Sequence, residues 1–287
     1  MKISFEEKKR KINYEKYYFN ILIPKEIKFN DISSDSFKLD WKLDNLDKFD
    51  KIKYKVELRE LNENINEKFN QVYFDSNINC LITNLKSDMK YEIKICCIYN
   101  NIEGEWSEIQ NIKTNIDSII LKESKREKEL LEKIYEWSGY KRMKLLYRGT
   151  RDGKSCKDFH NKCDNKGPTI CLYKSDKGYI FGGYAPISWE SNGGWQKNND
   201  SFIFTLTNIY DKPIKFPHVE GQDSLHNNSH DGPTFDDFYI NDNFKLDGLA
   251  FPSGHKDVLG KGKSIFNGDN NTKKIYLKEI EVFKLFK

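Results

Sequence analysis

The chain has 287 residues, of which 37% are hydrophobic and 14% aromatic against 32% charged. This apolar content exceeds that of a disordered chain, so length and composition together predict a globular protein of two domains. The formal net charge is only +4, from 48 Lys and Arg against 44 Asp and Glu. Nucleic-acid-binding proteins usually concentrate basic residues on one face, and beyond Lys8–Lys11 no such block occurs, so we expect no nucleic-acid partner.

The sequence carries no signal for a membrane or for secretion. No window approaches eighteen consecutive apolar residues, and residues 1–21 read as a charged arm. We therefore expect no direct membrane insertion, no secretory signal and a cytoplasmic protein. In that reducing compartment the six cysteines are expected to be free thiols.

Residues 22–117 read as a series of short β-strands. Apolar residues occupy every second position of SFKLDW, KYKVELRE and YEIKICCIY, and no helical pattern lies between these segments. The pattern predicts a β-sandwich. The segment resembles a fibronectin type III domain in Trp41 on the second strand and in Tyr91, six residues after Leu85. The resemblance implies that Trp41 fills the core and that the Tyr91 hydroxyl bonds to backbone at a tyrosine corner.

Residues 118–287 begin with a helical pattern. In SKREKELLEKIYEWSGY the apolar residues Leu130, Ile134 and Trp137 fall on one stripe, and Gly139 is placed to end the helix. The later segments TICLYK, YIFGGYA, SFIFTLTN and KKIYLKEIEVFKLF have the composition of strands. We therefore expect a second β-rich domain with flanking helices.

The stretch LLYRGTRDGKSCKDFHNKCDNKGPT offers two chemical interpretations besides a structural one. A helix could bring Cys156, His160 and Cys163 to one side as soft metal ligands, but no fourth ligand stands at a suitable interval, so we predict no metal. A redox thiol at Cys156 or Cys163 would need a lowered pKa from the neighbouring lysines. This thiol-dependent antioxidant enzyme is the alternative function.

Two other patterns do not support a nucleotide or metal site. The run LGKGKS has the end of a phosphate loop, but Asp257 stands where the first glycine should be. His226 and His230 are four residues apart, but Asn227, Asn228 and Gly232 disfavour a helix there. We expect neither a nucleotide nor a metal in these segments.

The structural interpretation treats Arg148–Gly153 as a turn that leaves a strand. Gly149 and Gly153 are expected to take positive φ, while Arg148, Arg151 and Asp152 stabilise the turn by hydrogen bonds. Ser155 is expected to cap a helix that directs Phe159 inward.

The same stretch, followed by GYIFGGYAPISW, SFIFTLTN, HDGPTF, LDGLAFP and KEIEVFKLF, resembles the TLDc domain of oxidation-resistance proteins over about residues 124–286. The sequence departs from the family pattern at Asp236 and Asp237, where the family usually has glycines after Pro-x-Phe. These two carboxylates predict a stiffer and more acidic loop.

The resemblance implies a two-sheet β-sandwich with flanking helices and a role in protein binding, without an agreed catalytic centre or cofactor. Family members associate with the vacuolar-type proton ATPase, so ATPase peripheral subunits, oxidative-stress resistance and a place beside endomembranes are the implied partner, outcome and location. Within the FGGY block, Gly182 and Gly183 are expected to let two backbones approach. The predicted binding surface comprises Arg148, Arg151, Asp152, Tyr184 and Trp189.

Overall fold

The computed structural model describes residues 22–44, 51–61, 68–269 and 274–287. The predicted arm over residues 1–21 lies outside them. The chain divides into two compact units, Met1–Ile116 and Asp117–Lys287, called here the N-terminal unit and the C-terminal unit. Both are built mostly of β-strands, as the sequence predicts. Within the described residues, every helix is too short or too polar to cross a membrane.

The N-terminal unit is a sandwich of two antiparallel sheets. Its strands are β1 (Lys25–Asn30), β2 (Phe37–Lys42), β3 (Lys53–Glu60), β4 (Asn70–Asp75), β5 (Asn79–Ile82), β6 (Lys90–Tyr99), β7 (Ile102–Trp106) and β8 (Gln110–Lys113). One sheet has the order β1-β2-β5 and the other β4-β3-β6-β7, with β8 also paired to β6.

The core of this unit contains the residues that the sequence assigns to it. Trp41 is 2% exposed, and its ring packs edge to face on Tyr54, with ring centroids 5.3 Å apart. The backbone N–H of Lys86 donates to the Tyr91 hydroxyl at 2.7 Å. The predicted tyrosine corner is therefore confirmed, and it fixes the chain where it enters β6.

The C-terminal unit mixes short helices with many strands. Its helices are α1 (Ile119–Glu123), α2 (Glu127–Ser138), α3 (Gly149–Asp152), α4 (Cys156–Cys163) and α5 (Ser264–Asn267), with a 3-10 turn at Asp242–Phe244. Its strands are β9 (Arg142–Arg148), β10 (Thr169–Ser175), β11 (Ile180–Ala185), β12 (Trp195–Gln196), β13 (Phe202–Thr207), β14 (Ile214–Pro217), β15 (Leu225–His226), β16 (Thr234–Phe235), β17 (Phe238–Asn241), β18 (Lys245–Leu249) and β19 (Ile275–Phe286).

One long strand, β19, connects two groups of strands in this unit. Its first residues, Ile275 and Tyr276, pair with β18, which continues the order β12-β15-β16-β17-β18. The rest of β19 pairs with β9 on one side and with β10 on the other, and β10 continues to β11, β13 and β14. All of these strand pairs are antiparallel.

The two groups of strands pack face to face around aromatic side chains. Phe181 on β11 and Phe238 on β17 meet edge to face with ring centroids 5.4 Å apart. Close approach also requires glycine in the FGGY block, because a Cβ on Gly182 would lie 1.9 Å from the backbone oxygen of Cys171. The predicted role of Gly182 is therefore confirmed.

The predicted helix after the first unit is α2. Its apolar stripe is buried at Leu130 and Ile134. Gly139 ends it in the left-handed conformation at φ 72°, and its N–H donates to the Tyr135 carbonyl. A residue with a side chain would be strained at this φ, which is why a glycine ends the helix here.

Candidate functional site

The turn that follows β9 is closed by Asp152. Its Oδ2 accepts a hydrogen bond from the backbone N–H of Arg148 at 2.9 Å, and Gly153 takes a φ of 116°. The prediction of positive φ is wrong for Gly149, which begins α3. A Cβ at Gly149 would lie 1.5 Å from the ring of Phe244, so this glycine is needed for space and not for its φ.

Arg148 points into the protein instead of into solvent. Its side chain is 12% exposed, its Nε donates to Oε1 of Glu281 at 2.7 Å, and its Nη2 donates to Oδ1 of Asp117 at 2.9 Å. The arginine thus joins the end of β9 to the segment before α1 and to β19. We correct its assignment to a binding surface: its partners hold it in a structural ion-pair network.

Two carboxylates on β19 complete this network. Glu281 is fully buried and also accepts from Ser118 Oγ at 2.6 Å and from the Ile119 N–H at 3.0 Å, at the start of α1. Burial raises the pKa of Glu281, and hydrogen bonds from Ser118 and Arg148 oppose that rise. Glu279, 4% exposed, accepts from the N–H and the hydroxyl of Thr150.

Sequence reasoning did not identify these glutamates. The signal was present, because Glu279 and Glu281 are two residues apart on a strand and therefore share a face. Nothing in the local sequence, however, tells which face of KEIEVFKLF is covered.

Tyr184 and Trp189 do not form an accessible surface. Trp189 is fully buried, donates from Nε1 to Thr169 Oγ1 at 2.9 Å, and packs edge to face on Phe235. Tyr184 is 8% exposed and packs against Phe202, and burial raises the pKa of its hydroxyl. Their prediction as binding residues is corrected, because strands distant in sequence cover both rings.

The exposed side chains near the turn are mainly basic. Asp152 bonds to Arg148 and Arg151, Asp158 forms a capping box with Ser155, and Asp164 bonds to His160 and Ser191. These three carboxylates are therefore engaged within the unit, and the hydrogen bonds from their partners lower the pKa of Asp152 and of Asp158. The exposed cations of residues 151–166, called here the basic ridge, are Arg151, Lys154, Lys157, Lys162 and Lys166. Two of them, Arg151 and Lys162, lie 2.7 and 3.8 Å from oxygens of Asp152.

An exposed aromatic residue lies in the same unit. Trp195 is 42% exposed and stacks on His226, with ring centroids 4.4 Å apart. His226 is oriented by its Nδ1, which lies 2.5 Å from the buried Oδ2 of Asp231. The Asp231 carbonyl in turn accepts from His160 on α4 at 3.0 Å. The stack therefore presents an aromatic face to solvent.

The cysteines of the opening stretch lack the surroundings of reactive thiols. Cys156 is 5% exposed and Cys163 is fully buried on the inner side of α4. Burial raises the pKa of Cys156 to about 12 and that of Cys163 well above its ordinary value of 9.0. Since the thiolate is the reactive form, neither thiol is activated at neutral pH.

The predicted capping of α4 is confirmed. Ser155 Oγ accepts from the Asp158 N–H, Asp158 bonds back to the Ser155 N–H, and Phe159 is buried. His160, on the same helix, is bonded through Nδ1 to Asp164 and through Nε2 to two backbone carbonyls, which leaves neither nitrogen for a metal. In the described part of the chain, no group of three or more His, Cys, Asp or Glu side chains could hold a metal ion.

Asp237, one of the two acidic residues at which the sequence departs from the TLDc pattern, is bonded within the unit. Asp237 is fully buried, its Oδ2 lies 2.6 Å from Nδ1 of His255, and its Oδ1 accepts from the Ser253 N–H at 2.6 Å. Asp237 therefore fixes the segment after β18 instead of facing solvent. Asp236 is half-buried, and burial raises its pKa.

Comparison with protein families gives two matches that divide the chain. The model of the TLDc domain matches residues 114–286, and the model of the fibronectin type III domain matches residues 22–113. Together they cover residues 22–286.

Among curated proteins, the chain is similar to a protein named MTOR-associated protein MEAK7. It is 35% identical to the Danio rerio protein over 63 residues and 31% identical to the Mus musculus protein over 65 residues. These matches cover 22% and 23% of this chain and 14% of each relative, so the chain aligns with only a small part of their length.

Several solved structures similar to the chain are fibronectin type III domains. The domain of human KIAA0970 protein has a TM-score of 0.33 and 18% identity and covers 41% of this chain and 88% of its own. The FN5 domain of Drosophila Lar has a TM-score of 0.28 and 20% identity, over 32% of this chain and 95% of its own.

Proposed function

Because this chain belongs to the TLDc domain family, with a fibronectin type III domain before the TLDc domain, we propose that it is a non-enzymatic adaptor that binds other proteins. Both units are built mostly of β-strands, and the polar side chains Arg148 and Asp152 at the turn after β9 are bonded within the fold. The thiols that an antioxidant enzyme would use are buried with raised pKa values, which disfavours that alternative.

The observation that carries the proposal is the distribution of charge around α4. The carboxylates of Asp152, Asp158 and Asp164 are bonded within the unit. Of the exposed cations of the basic ridge, Arg151 and Lys162 lie beside Asp152, and Lys154, Lys157 and Lys166 form no ion pair with a described carboxylate. A surface of this kind attracts an acidic surface on a partner and speeds association at low salt. Trp195 offers an aromatic residue of the type that contributes most to protein interfaces.

The partner that family membership favours is a peripheral subunit of the vacuolar-type proton ATPase. Under this proposal the chain works on the cytoplasmic side of endomembranes, held there by its partner, and changes in oxidative-stress resistance follow from ATPase regulation. The N-terminal sandwich binds a second protein or sets the distance between partners.

A second candidate partner comes from the relatives. Their name describes them as associated with MTOR, and the aligned stretch makes association of this chain with an MTOR-containing complex a specific alternative. One affinity purification distinguishes the two partners.

The experiment uses the full chain as bait in cytosol and solubilised endomembranes, with partners identified by mass spectrometry. A ridge variant carries Lys154→Glu, Lys157→Glu and Lys166→Glu, which leaves Arg151 and Lys162 beside Asp152. We expect ATPase peripheral subunits with the wild-type chain and at least a tenfold loss with the ridge variant, because three charge reversals oppose an acidic partner.

A matched control reverses three exposed lysines elsewhere in the same unit: Lys144→Glu, Lys212→Glu and Lys278→Glu. It should retain the partners. Recovery of MTOR-complex proteins instead of ATPase subunits would select the second candidate. Absence of both from the wild-type sample, together with peroxide consumption that Cys156→Ser abolishes, would replace the adaptor with the thiol enzyme.

A further inference from the structure

Two histidines that are distant in sequence meet at an isolated antiparallel bridge. His218 follows β14, and His255 lies in the segment after β18. The flanking bonds run from the Val219 N–H to the Gly254 carbonyl and from the Lys256 N–H to the Pro217 carbonyl, each 2.9 Å. His218 and His255 therefore form a non-hydrogen-bonded pair, the arrangement in which opposite side chains share a face and lie closest.

The two imidazole rings are in contact. Their centroids are 5.4 Å apart and their planes meet at 70°. His255 is fully buried and His218 is half-buried. The bridge thus brings two nitrogen heterocycles together at the edge of the core.

On each ring, one nitrogen already has a partner that only accepts hydrogen bonds. Nδ1 of His255 lies 2.6 Å from the carboxylate of Asp237, and Nε2 of His218 lies 3.2 Å from the carbonyl of Gln222. Each of these nitrogens must therefore carry the proton. In the neutral rings the other two nitrogens, Nε2 of His255 and Nδ1 of His218, hold free lone pairs.

Both of these lone-pair nitrogens are buried and have no hydrogen-bond partner among the described residues. Burying a polar atom without a partner is unfavourable, so native proteins usually supply one. The other buried histidine, His160, has partners at both nitrogens. His218 and His255 are therefore unusual in this chain.

We propose that His218 Nδ1 and His255 Nε2 bind a divalent transition-metal ion, of which Zn²⁺ is the representative. Metal-bound histidines characteristically donate their other ring N–H to a carboxylate or a backbone carbonyl, and Asp237 and Gln222 fill these two roles. With Zn–N bonds of about 2.0 Å, two imidazoles on one tetrahedral ion have ring centres about 5 Å apart. The observed separation of 5.4 Å fits that geometry.

The site offers two protein ligands. No third His, Cys, Asp or Glu of the described residues completes a metal-binding group, so under this proposal water molecules would have to complete the coordination of the ion. Fewer protein ligands than in a structural zinc site predict a weaker affinity, with a Kd on the order of 10 µM. The ion would clamp the bridge between β14 and the segment after β18.

The test is calorimetric titration of ZnCl₂ into the full chain after removal of metals with a chelator. We expect one site per chain. His218→Gln should weaken binding at least tenfold while leaving the Asp237–His255 bond in place, and Asp237→Asn should weaken it by about tenfold. His230→Gln, an exposed histidine elsewhere in the unit, is the matched control and should bind as the wild type does.

A second readout identifies the ligand atoms. Long-range ¹H–¹⁵N spectra of the imidazoles should show the zinc-induced shift at Nδ1 of His218 and Nε2 of His255. Unchanged zinc affinity in His218→Gln, or shifts confined to other histidines, would overturn the proposal. Neither result depends on the adaptor function, because no binding partner takes part in the measurement.

Discussion

Arg148 and Glu281 form an ion pair inside the C-terminal unit, with Nε of the arginine 2.7 Å from Oε1 of a glutamate that is fully buried. Arg148→Met would leave the Glu281 carboxylate without its cation, so we expect a loss of about 3–5 kcal/mol of unfolding free energy. Urea unfolding curves of the wild type and the variant measure this loss of unfolding free energy, and amide hydrogen exchange on β9 and β19 shows whether it falls on these strands. Arg151→Met, whose side chain is 45% exposed, should change stability by less than about 0.5 kcal/mol. Equal losses in both variants would contradict the network.

The same glutamate predicts a pH dependence. Burial raises its folded pKa above 4.5, so the folded protein holds this proton more tightly than the unfolded chain does. Its contribution is therefore greatest below pH 4.5 and declines as the pH rises through the folded pKa. Lowering the pH from about 7 to about 5 should shift the stability difference between wild type and Glu281→Gln in favour of the wild type. Urea midpoints of both proteins at each pH measure that difference, and a shift of opposite sign would rule the prediction out.

A side chain at position 149 would clash with its surroundings, so we expect substitution of Gly149 to destabilise the unit. A Cβ there would lie 1.5 Å from the Phe244 ring, so Gly149→Ala should destabilise the unit by about 3 kcal/mol. Adding Phe244→Leu should recover part of that loss, because it removes the ring that the new methyl group meets. Gly194→Ala meets nothing within 4 Å and serves as the control. Thermal unfolding of five proteins shows the effect: the wild type, Gly149→Ala, Phe244→Leu, the double variant and Gly194→Ala. Losses in the double variant that equal the sum of the two single losses would be the contrary result.

Because the cysteine thiols are buried, we expect them to react slowly with disulfide reagents in the native protein. All six cysteines are free and buried, and burial raises the pKa of Cys80, Cys96 and Cys97 to about 12 as well. Fewer than one thiol per chain should react rapidly with a disulfide reagent at neutral pH, against six after unfolding in urea. One fast-reacting thiol that disappears in Cys163→Ser would support the antioxidant alternative.

Features set by local spacing could be predicted from the sequence. Trp41 and Tyr91 occupy fixed places in a strand pattern, and Gly139 and Ser155 mark helix ends through backbone geometry that involves only near neighbours. These are the features for which period and capping chemistry are sufficient.

Features that depend on long-range contacts could not be predicted. Trp189 is buried by Phe235, and Glu281 is satisfied by Ser118, which lies at the other end of the unit. The local sequence around Arg148 does not distinguish it from a surface cation, because its buried partner Glu281 is 133 residues away in the chain. The meeting of His218 and His255 likewise depends on one bridge between two loops, and loops carry no periodic signal.

The position of β19 in the chain has a consequence for biosynthesis. This strand pairs with β9, β10 and β18, so among the described strands it is the one that joins the two groups into a single hydrogen-bonded sheet. It is also the last element of its unit to leave the ribosome. Until then the backbone edges of β10 and β18 that pair with β19 have no partner strand, and the nascent unit is a natural client for chaperones that shield exposed strands.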